Sequence, residues 1–598
     1  MASQSWWLTV LIFLPLAGVI PIVALDERNA GRSRHIALLF SVATLLVAGI
    51  VVGIYAGQSW QKAGWVLEQR LNILSLSETA PTLETSYHVA VDGISLWLVV
   101  LSALLSPLAI WGSFSGIREN LRGYYSLMLL LETAVLGVFC ARDLLLFYIF
   151  FDLTLVPLFL LIGIWGYEDR RYAAYKFFVF TLSGSVLLLG GILYLAWRSW
   201  QVQHVFSFDF DRLYPLAPQL TWREQQWLLL AFFAAFAIKV PLFPLHTWLP
   251  LAHTEAPTAG SVILAGLLLK LGTYGFLRFA IPLFPAATIR FAPVLAGLAI
   301  IGIIYAALVA WVQTDFKKLI AYSSVSHLGF CMLGMFSLKV AGLTGSLLYM
   351  VNHGLSTGAL FLVVGMIYER YHTRDMNAVG GLAARMPRLA FFMVFFALSS
   401  VALPGLNGFV GEFLVLLGTF LSNTQYDGYA PGPLDYRYAI VAATGIVLGA
   451  VYMFWWLRRV LFGPLVEPGH TPDTSNGLTV DITPRETSIL AILAAACLFI
   501  GVYPKPLLTS MQPSLDAGVL RVVHSQVTAL AGNDRDNRNG RAAAITDAAS
   551  DSTAGGGFKT LARADRPPVA PQGRTLEAAG EAGTPQAQPG AAVPHIAR

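Results

Sequence analysis

The chain of 598 residues is 56% hydrophobic and 12% charged, and its formal net charge is +5 at pH 7. Soluble domains usually contain about twice that fraction of charged residues, so the composition excludes an ordinary soluble globular protein. No basic block interleaved with aromatic residues indicates nucleic-acid binding. The three cysteines lie singly in apolar stretches, which excludes a disulfide framework, a zinc site and an iron–sulfur cluster.

Apolar runs of about 20 residues, the length that crosses a hydrocarbon core of roughly 30 Å, recur along the chain. They predict an all-α polytopic membrane protein with about 14 transmembrane helices, because nothing shows the alternation of a membrane β-barrel. The first run follows no Lys or Arg and precedes no small-residue cleavage site, so we interpret it as a membrane helix rather than a signal peptide. The predicted spans are 6–25, 36–55, 91–112, 124–140, 144–165, 175–197, 227–248, 259–279, 291–311, 320–336, 342–368, 388–421, 438–461 and 489–503.

The Lys and Arg residues of the short loops are unevenly divided between the two sides of these spans. The richer side includes Arg28, Arg170, Lys317, Arg370 and Arg458. Because the richer side faces the cytoplasm, we predict an inner (plasma) membrane protein with its N-terminus outside. Because the predicted number of helices is even, the chain that follows the last span is predicted to lie outside too.

Four of the charged residues in the middle of predicted spans stand out. They are Asp152, Lys239, Lys270 and Glu412. A charge at that depth costs several kcal/mol unless it is paired or faces water, so each is a candidate functional residue. Glu412 is the strongest candidate, because its own span contains no basic partner.

Histidines add titratable groups at similar depth or near the span ends. His246, His327 and His353 complete a predicted proton relay with the two lysines and two acids, because each group can gain or lose a proton. His253 and His327 have an alternative interpretation as interfacial or hydrogen-bonded packing residues.

Other interpretations stay open for several charged residues. Asp152 and Lys239 could be an inert ion pair that joins two helices. Glu132 could pair helices or act as an accessory proton site. Lys317 and Lys318 lie at a span end, where long cationic side chains usually anchor a helix to the interface.

Two predicted spans are interrupted beside a candidate residue. Pro241 follows Lys239 in the seventh span, and Pro404 precedes Glu412 in the twelfth. Proline inside a helix costs about 3 kcal/mol, and paired interruptions are typical of inverted-repeat transporters. Spans 4–8 and 9–13 therefore form two predicted inverted five-helix repeats, each with a broken fourth helix.

Composition and these repeats divide the chain into five predicted parts. Beyond about residue 525 the sequence is polar and rich in Pro, Ala and Gly, which predicts a disordered tail. The parts are N-terminal helices in 1–112, a first repeat in 124–279, a second repeat in 291–461, a C-terminal helix in 489–503 and the tail in 525–598.

Four segments carry a resemblance to a known family. The segments FYIFFDLTLVPLFLLIGIWG, KVPLFPLHTWLPLAHTEAPTAGSVILAGLLLKLGTYG, DFKKLIAYSSVSHLGF and LPGLNGFVGEF resemble those of the proton-translocating antiporter-like subunits of respiratory complex I. The resemblance covers roughly residues 1–505. It implies fourteen helices with inverted five-helix repeats and a hydrated charged axis near the bilayer centre.

The resemblance also implies a biochemical role. It implies a membrane-arm subunit of an NADH-quinone oxidoreductase that binds no cofactor itself, with NADH, FMN, Fe–S clusters and quinone used by other subunits. Its partners would be the other membrane-arm subunits and, indirectly, the redox arm. Lys239 would be the central lysine controlled by the acid on span 5, Lys270 and the histidines the connecting relay, and Glu412 the acid of the outer half-channel.

The sequence departs from this family at one site. Asp152 stands where the family usually has glutamate, and its shorter side chain predicts a longer or water-bridged contact with Lys239. The sequence contains no nucleotide loop or haem-ligand spacing, so the energy for uphill transport must come from partners or an ion gradient. The alternative functions are a subunit of a multi-subunit Na⁺/H⁺ antiporter and a structural subunit whose charges only fix helix register.

Overall fold

Apolar helices dominate the computed structural model, which describes residues 5–76, 82–469, 472–474 and 477–525. The predicted tail therefore lies outside the described residues except for its first position. In chain order the α-helices are α1 Trp7–Val23, α2 Ser33–Ser59, α3 Leu96–Gly112, α4 Leu121–Cys140, α5 Leu144–Leu153, α6 Leu155–Trp165, α7 Arg170–Gln203, α8 Phe210–Leu213, α9 Trp222–Lys239, α10 Trp248–Glu255, α11 Thr258–Ile263, α12 Leu269–Gly275, α13 Ile281–Leu283, α14 Pro285–Trp311, α15 Phe316–Phe336, α16 Val340–Tyr371, α17 Leu382–Arg385, α18 Pro387–Ser400, α19 Asn407–Phe420, α20 Tyr436–Leu461, α21 Pro484–Val502 and α22 Lys505–Leu515.

Fourteen membrane crossings are built from these helices in the described part of the chain. Ten helical stretches are long and apolar enough to cross a membrane alone. The shorter α1 and α3, the charged-ended α9 and the pair α18 and α19 account for the other four. The predicted number of helices is confirmed, although several helices extend past the predicted ends. For example, α7 covers Arg170–Gln203 instead of 175–197, because helical hydrogen bonding continues into polar residues at the membrane interface.

Two crossings are broken where the prolines predicted a break. Helix α9 ends at Lys239 and α10 begins at Trp248. Helix α18 ends at Ser400 and α19 begins at Asn407, with Gly405 between them at a φ of +92°. This left-handed conformation favours glycine, which has no Cβ to clash. The breaks therefore follow directly from the local sequence.

The crossing that contains Lys270 is irregular in a way that the sequence did not predict. π-helical turns at Leu264–Leu268 and Phe276–Ala280 lie on either side of α12. Such turns widen the hydrogen-bonding ladder and occur frequently at functional sites. This crossing, α15 and α16 form the centre of the molecule, where nearly every residue of the membrane-spanning window is buried.

A small β-sheet lies outside the membrane crossings, so the expectation of an all-α protein is wrong for this part of the chain. Strand β1 covers Val66–Leu76 and pairs antiparallel with β2, Thr82–Val91, and β2 pairs in parallel with the short β3, Val205–Ser207. The sequence did not predict the sheet, because its strands mix polar and apolar residues and contain no continuous apolar run. The predicted third span consequently began too early, since α3 starts at Leu96.

A buried histidine attaches the β1–β2 hairpin to the helical part. The side chain of His88 on β2 is fully buried, with Nδ1 2.7 Å from Asp209 Oδ2 and Nε2 2.8 Å from Glu68 Oε1. Arg142 and Arg70 form ion pairs with Glu68 and Asp209 respectively. Burial alone would lower the pKa of His88, but its hydrogen bonds with the two carboxylates outweigh that effect and hold its pKa above the ordinary 6.5.

Candidate proton-transfer site

A lysine–histidine contact lies at the centre of the molecule. Lys270 is fully buried on α12, and its Nζ lies 2.6 Å from Nδ1 of His353 on α16. The same ammonium donates to the Ala265 carbonyl at 2.5 Å, within the π-helical turn that precedes it. No carboxylate forms an ion pair with Lys270 in the described part of the chain. The contact therefore lets a lysine and a neutral imidazole share or exchange a proton.

The contact continues towards the second helix break. The rings of His353 and His327 lie 5.8 Å apart between centroids. His327 Nδ1 is 2.6 Å from the hydroxyl of Tyr349, and that hydroxyl donates to Glu412. The direct distance from His327 Nδ1 to Glu412 Oε1 is 3.6 Å, which is too long for a hydrogen bond. Tyr349 therefore bridges the histidine to the acid.

The space between the two histidines is polar and very small. A cavity of about 10 Å³ lies there, lined by side chains that include Asn352, Ser399 and Ser400. This volume is about that of one water-sized sphere. His327 Nε2 also lies 3.1 Å from Ser400 Oγ. The route from Lys270 to Glu412 is consequently a nearly continuous series of polar atoms inside an apolar helix bundle.

Lys239 occupies a separate part of the site at the first helix break. It is the last residue of α9 and is 1% exposed. Its ammonium donates to Thr154 Oγ1 at 3.2 Å and lies 4.9 Å from the ring centroid of Phe151. A cation over an aromatic face is stabilised without a formal partner. This environment holds the lysine in place without neutralising its charge.

Asp152 and Lys239 interact electrostatically but do not form a direct ion pair, although both residues are described in full. The Asp152 carboxylate instead accepts a hydrogen bond from Ser185 Oγ at 2.5 Å, and Ser185 Oγ lies 3.1 Å from the Tyr148 hydroxyl. The short aspartate side chain explains this arrangement, since it reaches the serine on α7 but not the lysine. An inert ion pair between the two helices is therefore wrong as an interpretation.

Two residues that the sequence analysis considered, His246 and Lys317, lie outside the series from Lys270 to Glu412. His246 lies in the break between α9 and α10, where it stacks on Phe243 and contacts the edge of Tyr305. It makes no hydrogen bond with Lys239 or Lys270 in the described chain. Lys317 was predicted to anchor the helix at the interface, but this prediction is wrong because the side chain is fully buried. Its neighbour Lys318 is exposed, as an anchor should be.

Several neutral polar residues belong to the site, although the sequence did not predict them as site residues. Tyr349, Ser185 and Thr154 each form a hydrogen bond with a charged group of the site. Each stands in an apolar segment, where such residues usually pack or bond to their own backbone. A single sequence carries no signal that would select them. Among the described residues, no group of three or more His, Cys, Asp or Glu side chains is arranged to hold a metal ion.

A bundle of fourteen crossings, broken beside a buried lysine and a buried acid, defines an antiporter-like membrane subunit, and comparisons with known proteins identify the family. Residues 141–426 match the model of the family described as "NADH:quinone oxidoreductase/Mrp antiporter, TM". The chain is 41% identical to NADH-quinone oxidoreductase subunit M of Rhodobacter capsulatus, over 88% of this chain and 98% of that protein. It is also 41% identical to NADH-ubiquinone oxidoreductase chain 4 of Prototheca wickerhamii, over 85% and 94% of the two chains.

Solved structures agree with this result. A chain of respiratory complex I from Thermus thermophilus with bound NADH superimposes with a TM-score of 0.72 and 29% identity, over 86% of this chain and 99% of that one. An archaeal membrane-bound sulfane sulfur reductase shares the fold, with a TM-score of 0.69 and 22% identity over 83% of this chain and 76% of that one. The chain belongs to the family of NADH-quinone oxidoreductase subunit M and NADH-ubiquinone oxidoreductase chain 4.

Proposed function

We propose that this member of the subunit M family translocates protons through the series Lys239, Lys270, His353, His327 and Glu412. The observation that supports the proposal most is the nearly continuous series of polar contacts from Lys270 to Glu412 through a buried region, in which only the step between the rings of His353 and His327 is not a direct hydrogen bond. Buried ionisable groups of this kind are expensive to maintain in a membrane, and a series of them has no evident value for packing alone.

The chain is a membrane-arm subunit of a proton-translocating NADH-quinone oxidoreductase, and its partners are the other membrane-arm subunits of that complex. We assign NADH, FMN, the Fe–S clusters and quinone to other subunits. Moving a proton outward against a membrane potential costs about 2.3 kcal/mol per 100 mV. The redox reaction of the complex must therefore supply the driving force to this chain from outside it.

We place the protein in the inner (plasma) membrane of the cell with its N-terminus outside. The arginine- and lysine-rich loops then face the cytoplasm, and the sheet lies on the outer side. We assign helices α4 to α13 to a first inverted repeat and α14 to α20 to a second. Each repeat then contains one broken crossing with a titratable residue at the break.

The geometry suggests the order of proton transfer. A change of charge near Asp152 alters the electrostatic stabilisation of the Lys239 ammonium, since no direct ion pair fixes it. Lys239 then releases a proton towards Lys270, which passes one from Nζ to Nδ1 of His353. From His353 the proton reaches His327, and Tyr349 relays it to the carboxylate of Glu412. Glu412 releases the proton outside, and Lys239 is protonated again from the cytoplasm.

The proposal is tested by NADH-driven proton uptake in inverted membrane vesicles that contain the whole complex. We expect Lys239→Ala to abolish coupled uptake, because no other group of the series occupies the first helix break. NADH oxidation with an artificial electron acceptor serves as the control for assembly. Proton uptake at the wild-type yield per NADH in a fully assembled Lys239→Ala complex would refute the proposal.

A second candidate is a subunit of a multi-subunit Na⁺/H⁺ antiporter, since the description of the matching family also names Mrp antiporters. The same vesicles distinguish the two functions. Proton movement driven by a sodium gradient, in the absence of NADH, would favour the antiporter. Sodium-independent uptake driven by NADH favours the oxidoreductase subunit.

A further inference from the structure

A large polar cavity opens on the face that we assign to the cytoplasm. Its volume is about 790 Å³, and Tyr167 and Arg374 are among the side chains that line it. On the same side of the molecule lie three buried ionisable groups that the proposed series does not use. They are Lys317, Glu255 and His253, each at most 4% exposed.

Lys317 is a buried lysine without an ion-pair partner in the described part of the chain. Its Nζ donates to the Ala256 carbonyl at 2.7 Å and lies 4.5 Å from the ring centroid of Tyr167. A fully buried ammonium normally requires a carboxylate partner. A lysine in such a place is suited to a change of charge state, because its amine can give up and regain a proton.

The nearby carboxylates are engaged by an arginine instead. Arg374 Nη1 lies 3.4 Å from Glu255 Oε1, and its Nε lies 3.6 Å from Asp315 Oδ2. The guanidinium of Arg374 is 5.1 Å from the ring centroid of Tyr167. Tyr167 thus contacts both Arg374, which lines the cavity, and the buried Lys317.

His253 lies on α10, three residues before Ala256, whose carbonyl accepts the hydrogen bond from Lys317. It interacts electrostatically with both Lys317 and Lys270, and its ring is stacked on Phe361 with centroids 4.5 Å apart. Neither of its ring nitrogens has a hydrogen-bond partner among the described residues. A buried imidazole costs free energy when its nitrogens are unsatisfied, and a role in proton transfer would account for it.

We propose that the cavity is a proton entrance that supplies the central Lys270–His353 contact through Lys317 and His253, independently of Lys239. In each cycle Nζ of Lys317 accepts one proton from water in the cavity and passes one to a ring nitrogen of His253. His253 passes one on to the Lys270–His353 contact, so every step moves a single proton and no other bond changes. This inference rests on the proposed relay, because it assigns the relay a second source of protons.

The key experiment compares two adjacent lysines in the whole complex. Lys317→Arg keeps a positive charge and a donor for the Ala256 carbonyl, but an arginine does not release its proton in proteins. Lys318→Gln is the matched control, because Lys318 is the next residue and lines the same cavity from an exposed position. Inverted vesicles expose the cytoplasmic face, so the pH at the cavity can be set directly.

We expect Lys317→Arg to slow NADH-driven proton uptake by about tenfold or more, in line with the loss of a positioned proton-transfer group. The defect should grow as the external pH rises, because fewer protons are then available, while Lys318→Gln should follow the wild type. Wild-type uptake in Lys317→Arg over the whole pH range would overturn the inference. A purely structural lysine predicts that outcome, since arginine preserves its charge and its donor.

A second pair of variants keeps the test decisive. His253→Leu removes nitrogens that have no partner, so the complex should assemble, and we expect the same alkaline defect. Normal uptake in His253→Leu would also overturn the inference, even if Lys317→Arg fails to assemble. Lys270→Gln examines the relay itself. If Lys270→Gln pumps normally, the proposed function fails. If Lys270→Gln loses pumping while Lys317→Arg and His253→Leu pump normally, only the proposed entrance is rejected and the relay stands.

Discussion

Removal of one hydroxyl group should interrupt the proposed series at its outer end. Tyr349→Phe leaves the ring in place but deletes the oxygen that contacts both His327 and Glu412. The remaining distance between His327 Nδ1 and Glu412 Oε1 is 3.6 Å, beyond hydrogen-bond range. A hydrogen bond to a charged group contributes about 1.5–3 kcal/mol. At about 1.4 kcal/mol per factor of ten, proton transfer at this step should slow by roughly 10- to 100-fold.

The assay is the initial rate of NADH-driven proton uptake in inverted vesicles, normalised to NADH oxidation with an artificial acceptor. Tyr452→Phe provides a matched control. Tyr452 is also buried and interacts electrostatically with Glu412, but no contact joins its hydroxyl to a histidine in the described chain. We expect Tyr452→Phe to pump at the wild-type rate. If Tyr349→Phe also pumps at that rate, Glu412 receives its proton by another route and the proposed order of transfer is incorrect.

Two further predictions follow from other contacts. Asp152→Glu extends the carboxylate towards Lys239. Because the attraction between opposite charges grows as their separation shrinks, the Lys239 ammonium should hold its proton more tightly, and coupled proton uptake should slow by up to about tenfold. His88 stabilises the hairpin while it is charged. Because its pKa is raised, this stabilisation is complete below its ordinary pKa of 6.5 and is lost as the pH rises through the raised value. The amide hydrogen-exchange rate of the hairpin should therefore rise at alkaline pH by more than the intrinsic pH dependence of exchange. His88→Leu should remove that extra rise. The same dependence of the exchange rate on pH in the wild type and in His88→Leu would contradict the prediction.

The sequence predicted the features that have a large energetic cost. A long apolar run has only one stable arrangement in a membrane, so the number of crossings was predictable. Lys270 and Glu412 were recognisable because a charge within such a run is expensive, and the breaks were recognisable from Pro241 and Pro404. The structure then brought Lys270 and Glu412 into one series, which span positions alone could not establish.

Features with a small energetic cost were not predictable from one sequence. Tyr349 resembles any aromatic packing residue until its hydroxyl is seen between a histidine and an acid. Lys317 stands at a helix end, and a position along the chain does not reveal whether a side chain points outward or into the bundle. The sheet was missed because the hairpin lies outside the membrane crossings, where hydropathy carries little information about structure.

The two ends of the proposed series stabilise their charges by different means. Lys239 is the last residue of α9, where the partial negative charge of the helix end favours a cation by about 0.3–1 kcal/mol. Glu412 lies beyond the first turn of α19, out of range of the favourable helix end, so its charge depends on the hydroxyl of Tyr349. Transfer of a proton from Lys239 to Glu412 neutralises both groups and removes both stabilising interactions. Neutralisation also removes the larger cost of keeping two charges buried, so these local contacts do not by themselves set the direction of transfer, and the partner subunits must supply it.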